Sequence, residues 1–435
     1  MRSRTETMRK RRASRRRKLV LANAALLAAI CAVVAWNVWA ASPDEEPGAA
    51  AIETAEETAQ ERPADAEAHA EAPAAEPEES EESTEPVEQV EQIEPAEPVE
   101  TPAEEAPVEQ PADGEAGPTV KLAFVGDVLL GEYVGDLMER NGFDYPYVHA
   151  AEVIRSADVA VANLETAVTD RDIEKPGEKT YEFKSDPDAL PAFRDAGFDA
   201  VNLANNHTMD FGPDGLRDTM RHLEENGIAH VGAGETAEEA YAPEYIEKNG
   251  LRIALFGFSH VIPDVSWKVG ARKIGLAETY DYTKPVEAIE KAAAEADLVV
   301  VMAHWGDELQ EQPHPTEQVE LARRFVDAGA DLVVGSHPHV LQGFERYGGG
   351  WIAYSLGNFI FTTSKEPLTY DSAVLLAECG RGGDCRLTVE PFRADTPQPK
   401  PMDAARSAQV LARLSSLSIG AEVRSNGTVA EKEAE

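Results

Sequence analysis

Five short apolar runs in this chain each end in a carboxylate, an amide or an imidazole. That repetition limits the possible folds more than any other feature. The runs close on FVGDVLLG (Phe124–Gly131), ANLETAVTD (Ala162–Asp170), NLANNHTMDFG (Asn202–Gly212), MAHWGDE (Met302–Glu308) and VVGSHPHVLQG (Val333–Gly343). A buried strand ending this way delivers polar side chains to the carboxyl edge of a sheet, where open α/β folds place their sites. Oxygen and imidazole donors supplied by successive strand ends form a metal-site pattern.

Between Val120 and Arg393 strand-like runs alternate with helix-like stretches. Strands are expected at VKLAFVG, ADVAVANL, FDAVNLA, RIALFGF, DLVVVMAH, DLVVGSH and WIAYSLG. Amphipathic helices are expected over Pro213–Asn226, Pro285–Ala296 and Thr316–Ala328, each with apolar residues on one face. The pattern predicts a layered α/β domain over residues 119–393, with a second, more antiparallel sheet built from Leu341–Phe392. Residues 394–435 read as a polar C-terminal tail with a peripheral helix over Ala404–Leu417.

The preceding 118 residues cannot belong to such a domain. Residues 1–18 are a basic tip. Residues 19–41 form an apolar run broken only by Asn23 and Asn37, roughly 34 Å long as a helix and enough to cross a bilayer. The basic flank before it and the acidic stretch after it predict a cytoplasmic N-terminus and an extracytoplasmic remainder. An uncleaved, single-pass anchor in the cell membrane is the reading favoured by length, with a cleaved signal peptide as the alternative. Residues 42–118 carry 26 acidic side chains against one Arg and almost no aromatics, the composition of a disordered, solvated stalk.

The net charge of −40 leaves roughly −24 on the chain beyond the stalk, so no nucleic-acid footprint is expected. An anionic substrate has to be attracted locally, by metal or a few basic groups. Cys379 and Cys385 bracket GRGGD between two strand-like runs, a geometry that suits a disulfide closing a hairpin; two free thiols on a loop are the alternative.

The candidate chemistry is carried by eight residues. Asp127 follows a buried strand and offers a hard oxygen ligand, unless it serves as an Asx turn or helix cap. Asn206 offers an amide oxygen, and His207 beside it brings a titratable ring suited to protonating a leaving oxygen. Asp210 is placed to orient that ring, although Asn206 and Asp210 could instead cap the helix that follows. His304 ends a strand. His337 and His339, two apart, share one face in extended geometry, and Pro338 keeps His337 out of helix. With Glu165 as a second acidic strand end, the metal-ligand candidates are Asp127, Glu165, Asn206, His304, His337 and His339.

In this order, GDVLLG, NLETAVT, LANNHTMDFG, HWGDE, GSHPHVLQG and YSLGNFIF resemble the CapA family of poly-γ-glutamate capsule synthesis proteins. That family in turn resembles the calcineurin-like metallophosphatases. The resemblance spans Lys121 to about Phe392 and implies a four-layer αββα sandwich of metallophosphatase type. It implies one or two divalent ions (manganese, zinc or iron), with Glu165 as bridging carboxylate and His207 as general acid. The metallophosphatases usually open with Asp-x-His; here the corresponding position is Leu129, so one site has a ligand fewer, and Glu308 compensates only if the chain folds back.

The function expected on this basis is biosynthesis or export of an anionic cell-surface polymer, beside a membrane-embedded capsule ligase complex. Two alternatives remain open. One is a metal-dependent phosphoesterase acting on cell-envelope phosphoesters; the other is a non-catalytic binding subunit.

Overall fold

Strands buried on both faces read as unbroken apolar runs, and all seven expected runs are strands. The computed structural model describes residues 117–172, 181–362 and 364–433, within one unit of the chain, Glu105–Glu435. The basic tip, the 19–41 run and nearly all of the 42–118 stalk lie outside the described residues. Among the described residues no helix is long and apolar enough to cross a membrane.

The chain first lays down four parallel strands, β1 (Thr119–Val128), β2 (Val159–Leu164), β3 (Ala200–Asn202) and β4 (Ala229–Val231), side by side in that order. It then crosses to a second sheet whose core is again parallel: β5 (Leu251–Ser259), β6 (Leu298–His304), β7 (Leu332–Ser336) and β8 (Gly350–Ala353). Antiparallel strands Glu244–Lys248 and Phe344–Tyr347 finish its two edges. The chain returns to the first sheet with β9 (Asn358–Ile360), which pairs with the end of β1. The hairpin β10 (Asp371–Gly380) and β11 (Cys385–Arg393) follows, with β10 antiparallel to β1. The late antiparallel strands therefore form no sheet of their own, contrary to the sequence reading. They find open edges in sheets already built.

Alternation within each strand sorts side chains between layers. Along β1, Val120, Leu122 and Phe124 enter the core between the two sheets, together with Leu251, Ile253 and Leu255 of β5. Ala123 and Val125 join the other face, under α1 (Glu132–Asn141), α2 (Ala151–Arg155), α3 (Leu190–Asp195) and α4 (Gly212–Glu225). Ala254, Phe256 and Phe258 of β5 pack beneath α5 (Ala237–Ala240), α6 (Thr283–Glu295) and α7 (Leu321–Ala328). Helices, sheet, sheet and helices thus stack in four layers. The expected helix over Thr316–Ala328 divides: Pro315–Glu320 is a π-helical turn and α7 starts at Leu321.

Residues 394–433 are not a frayed tail. Helix α8 (Ala404–Leu417) inserts Val410, Leu411 and Leu414 into the inter-sheet core, and strands β12 (Ala421–Val423) and β13 (Thr428–Glu431) extend the first sheet beyond β11. The sequence reading missed this because α8 has a narrow apolar face among serines and arginines. Those arginines are structural. Arg406 Nη2 donates to both oxygens of fully buried Asp371 at 2.9 and 2.6 Å, and Arg413 Nη2 donates at 2.9 Å. At the hairpin's far end, Cys379 and Cys385 face each other across the ladder and are disulfide-bonded.

Asp371→Asn is expected to cost about 2–4 kcal/mol, less than a fully buried pair because the arginines reach solvent. Leu411→Ala is expected to cost about 2–5 kcal/mol. Urea titrations of wild type and both variants measure these losses; an unchanged midpoint in both would mean that α8 is not part of the cooperative fold.

Candidate metal centre

Strand register places the polar strand ends in two rows. In the first sheet, Asp127 on β1 pairs with Asn163 on β2 and with Asn358 on β9, and Asn163 pairs onward with Asn202 on β3. In the second, His304 at the end of β6 lies between Ser259 on β5 and Ser336 on β7. The rows meet. Asn163 Nδ2 lies 3.2 Å from His304 Nδ1, and the His337 backbone N–H approaches Asp127 Oδ2 at 3.3 Å.

Around this junction three groups of donor atoms form, each with its atoms within 4.8 Å of one another: Glu165, His304 and His337; Asp127, Glu165 and His339; and Glu308, His337 and His339. Glu165 belongs to the first two, His337 to the first and third, and His339 to the second and third. Asn206 joins the first, its Oδ1 being 2.9 Å from His304 Nε2. All six residues expected to ligate are therefore gathered in one place.

The route of the two late histidines differs from the expectation. The strand ends at Ser336, and both His337 (φ 96°) and His339 (φ 58°) adopt left-handed backbone conformations. They do not share an extended face. The bend around Pro338 leaves the two ring centroids 5.9 Å apart, and both rings stay within reach of Glu165 and Glu308. Non-glycine residues held there cost of order 1–3 kcal/mol each, and such strain clusters at functional sites.

The electrostatics call for a positive charge. Burial on its own raises the Asp127 carboxyl, but the hydrogen bond and charge of His339, with Glu165 and Asn163, leave it below its usual range. Burial lowers His339, yet Asp127, Glu308 and Asn358 together lift it above its ordinary value. Burial, helped by the charge of His339 and opposed by that of Asp127, pushes His337 down to about 3, so its ring is neutral and able to ligate. His337 Nδ1 is buried without a hydrogen-bond partner, a desolvation cost of about 1–3 kcal/mol that ligation removes. Carboxylates, an amide oxygen and imidazoles so close together fit a divalent cation.

A layer of amides beneath the donors fixes them. Asn163 Nδ2 donates to Asp127 Oδ1 at 2.9 Å and lies 3.4 Å from Glu165 Oε2, while its Oδ1 accepts from Asn202 at 3.0 Å and Asn205 at 3.3 Å. His339 Nδ1 lies 2.8 Å from Asn358 Oδ1, and His304 Nδ1 lies 3.1 Å from Ser336 Oγ. With His339 Nδ1 protonated toward Asn358, its Nε2 is the atom left for ligation. Asn163, Asn202, Asn205 and Ser336 were not singled out from sequence, because an amide or hydroxyl at a strand end reads equally well as a turn residue.

His207 sits beside the donors. Its Nδ1 lies 2.7 Å from Asp210 Oδ2, which also accepts from the Phe183 backbone N–H at 2.8 Å. The Phe183 ring stacks on the imidazole with centroids 4.1 Å apart. Capping does not explain these residues: α4 begins after Phe211 with no side-chain cap, and it is Asn205 that binds the backbone N–H of His207 and Thr208. Asp127 does not cap α1 either. His314 is engaged as a cap, accepting from the Thr316 and Glu317 N–H groups, and His260 bonds to Thr279. Leu129 is fully buried.

Residues 121–363 match the family described as bacterial capsule synthesis protein PGA_cap. The capsule biosynthesis protein CapA of Bacillus anthracis is 34% identical over 288 residues, covering 65% of this chain and 70% of that protein. The PGA biosynthesis protein CapA of Bacillus subtilis strain 168 is 34% identical over 300 residues, covering 68% and 77%. Among solved structures, the calcineurin-like phosphoesterase YfkN of Bacillus subtilis is similar at 15% identity and a TM-score of 0.36, over 66% of this chain and 89% of that one. That likeness is too loose to bear weight. The sequence matches are not, and together with the gathered motif residues they make this chain a member of the PGA_cap family of bacterial capsule synthesis proteins.

Proposed function

We propose that this chain is an anchored, extracytoplasmic accessory subunit that makes or exports an anionic surface polymer of the poly-γ-glutamate type, using a metal-dependent hydrolytic centre. The observation that carries the reading is the convergence of six donors, from the ends of strands in both sheets, on one buried cluster beside the His207–Asp210 pair. The relatives named for capsule and PGA biosynthesis support the polymer class. The basic tip, apolar run and acidic stalk support attachment to the membrane next to a ligase complex.

Asp127, Glu165, Asn206, His304, His337 and His339 would hold one or two divalent ions, which would supply Lewis acidity to an anionic oxygen and lower the pKa of water. The protein's own groups do the rest. Asp210 takes His207 Nδ1, so a proton handed to a leaving oxygen comes from Nε2. Phe183 covers the ring and keeps water from its face. This arrangement suits a phosphoester, so a cell-envelope phosphoester is the substrate to test first. A second reading, a binding subunit without turnover, is favoured by one observation: Leu129 stands where the metallophosphatases place an imidazole.

Manganese- or zinc-dependent hydrolysis of an aryl phosphodiester is expected for the full chain, falling about 10²–10⁴-fold in His207→Ala with metal content unchanged. Absence of turnover in wild type, with metal bound, favours the binding subunit. Removing metal with a chelator is expected to lower the melting temperature by about 5 °C relative to protein held at 100-fold over its metal dissociation constant. Identical melting curves would remove the metal from the proposal.

A further inference from the structure

The loop after β6 brings a further carboxylate, Glu308, to the cluster. We propose that Glu308 is a metal ligand, completing the donor set around His339, and that it makes that position an oxygen-rich site unlike its neighbour. This rests on the metal-centre reading above. Glu308, His337 and His339 offer donor atoms within 4.8 Å of one another, although Glu308 is exposed and His337 buried. Its carboxylate is thus the solvent-exposed member of a cluster in which Asp127 and Glu165 are buried.

The return of the chain is a built feature. Gly306 turns the backbone at a φ of 86°, and a Cβ there would lie 2.3 Å from Gln318 Oε1. Leu309 holds a left-handed conformation at a φ of 62° and donates its N–H to Pro338 O at 2.8 Å. That bond ties the Glu308 loop directly to the His337–His339 bend. Two buried glutamines lock the arrangement. Gln318 Nε2 donates to Gln342 Oε1 at 2.7 Å, Gln342 Nε2 donates to Gln310 O at 2.8 Å, and Gln318 Oε1 accepts from the His314 N–H at 2.8 Å. A solvent-facing loop with no role has no need of strained backbone and a buried amide clamp.

The donor chemistry then differs between the two positions. Joined to the Asp127, Glu165 and His339 group through their shared His339, Glu308 would give that position three carboxylates and one imidazole, a hard set that suits manganese. Glu165, Asn206, His304 and His337 give two oxygens and two imidazoles, which zinc or iron also accept. Glu308 thereby replaces an imidazole by a carboxylate and shifts ion preference at one position only.

The test is manganese titration of the full chain in detergent, followed by electron paramagnetic resonance and equilibrium dialysis, on wild type, Glu308→Gln and Asn206→Ala. Two manganese ions per wild-type chain are expected. Glu308→Gln should weaken one ion by more than about 100-fold, beyond the 10–100-fold that losing an outer partner of a ligand costs, and Asn206→Ala should weaken the other. A loss under 100-fold in Glu308→Gln, or two ions held as in wild type, overturns the assignment while leaving the metal reading intact. A wild-type chain that takes up no ion overturns both. The melting temperature of metal-free Glu308→Gln, expected to match wild type, checks that the variant is folded.

Discussion

The Asn163 side chain holds the centre together. Two carboxylates, Asp127 and Glu165, are buried side by side at the junction of two sheets, where neither is exposed to solvent and each needs a partner. One amide nitrogen stands between them, and its oxygen is fixed from behind by Asn202 and Asn205. A hydrogen bond to a buried charged group contributes about 1.5–3 kcal/mol, and its loss exposes the full desolvation cost. Asp127 in turn contacts His339 and the His337 backbone, which carries the order of this layer to the second sheet.

The architecture explains why such a layer can exist. Parallel strands end at a common rim, so residues in register across β1, β2 and β3 lie side by side without any loop to position them. The second sheet faces the first and supplies imidazoles from its own carboxyl rim. Neither sheet carries a complete donor set. The cluster therefore depends on the inter-sheet packing, and the core of Leu122, Phe124, Ile253, Leu255 and Val334 beneath it is what sets the separation. Helix α8 belongs to the same account, since it seals one end of that core through apolar residues and the Asp371 arginine cluster.

Much of the centre was readable before any coordinates. Asp127, Glu165, Asn206, His304, His337 and His339 stood out because carboxylates and imidazoles at the ends of apolar runs are chemically conspicuous. The Asp210 partner of His207 followed from a spacing of three residues. Asn163 and Asn205 did not stand out, because amides occur in turns of every kind and only the folded chain shows that they back one rim. Glu308 could be raised but not placed, since its approach depends on the left-handed Leu309 and on glutamines at positions 318 and 342. The path of His337 and His339 was misread as extended, because Pro338 excludes helix without choosing between a strand and a bend.

The amino-acid sequence by itself determined the family, seven of the strands and the identity of the metal-ligand candidates, because these rest on local hydrophobic patterning and on side-chain chemistry. Only the tertiary structure decided how the late hairpin distributes itself, that residues 394–433 are part of the domain, and which donor stands next to which. Those outcomes depend on contacts between residues tens to hundreds of positions apart. Local pattern cannot encode such distances, and packing of the two sheets can.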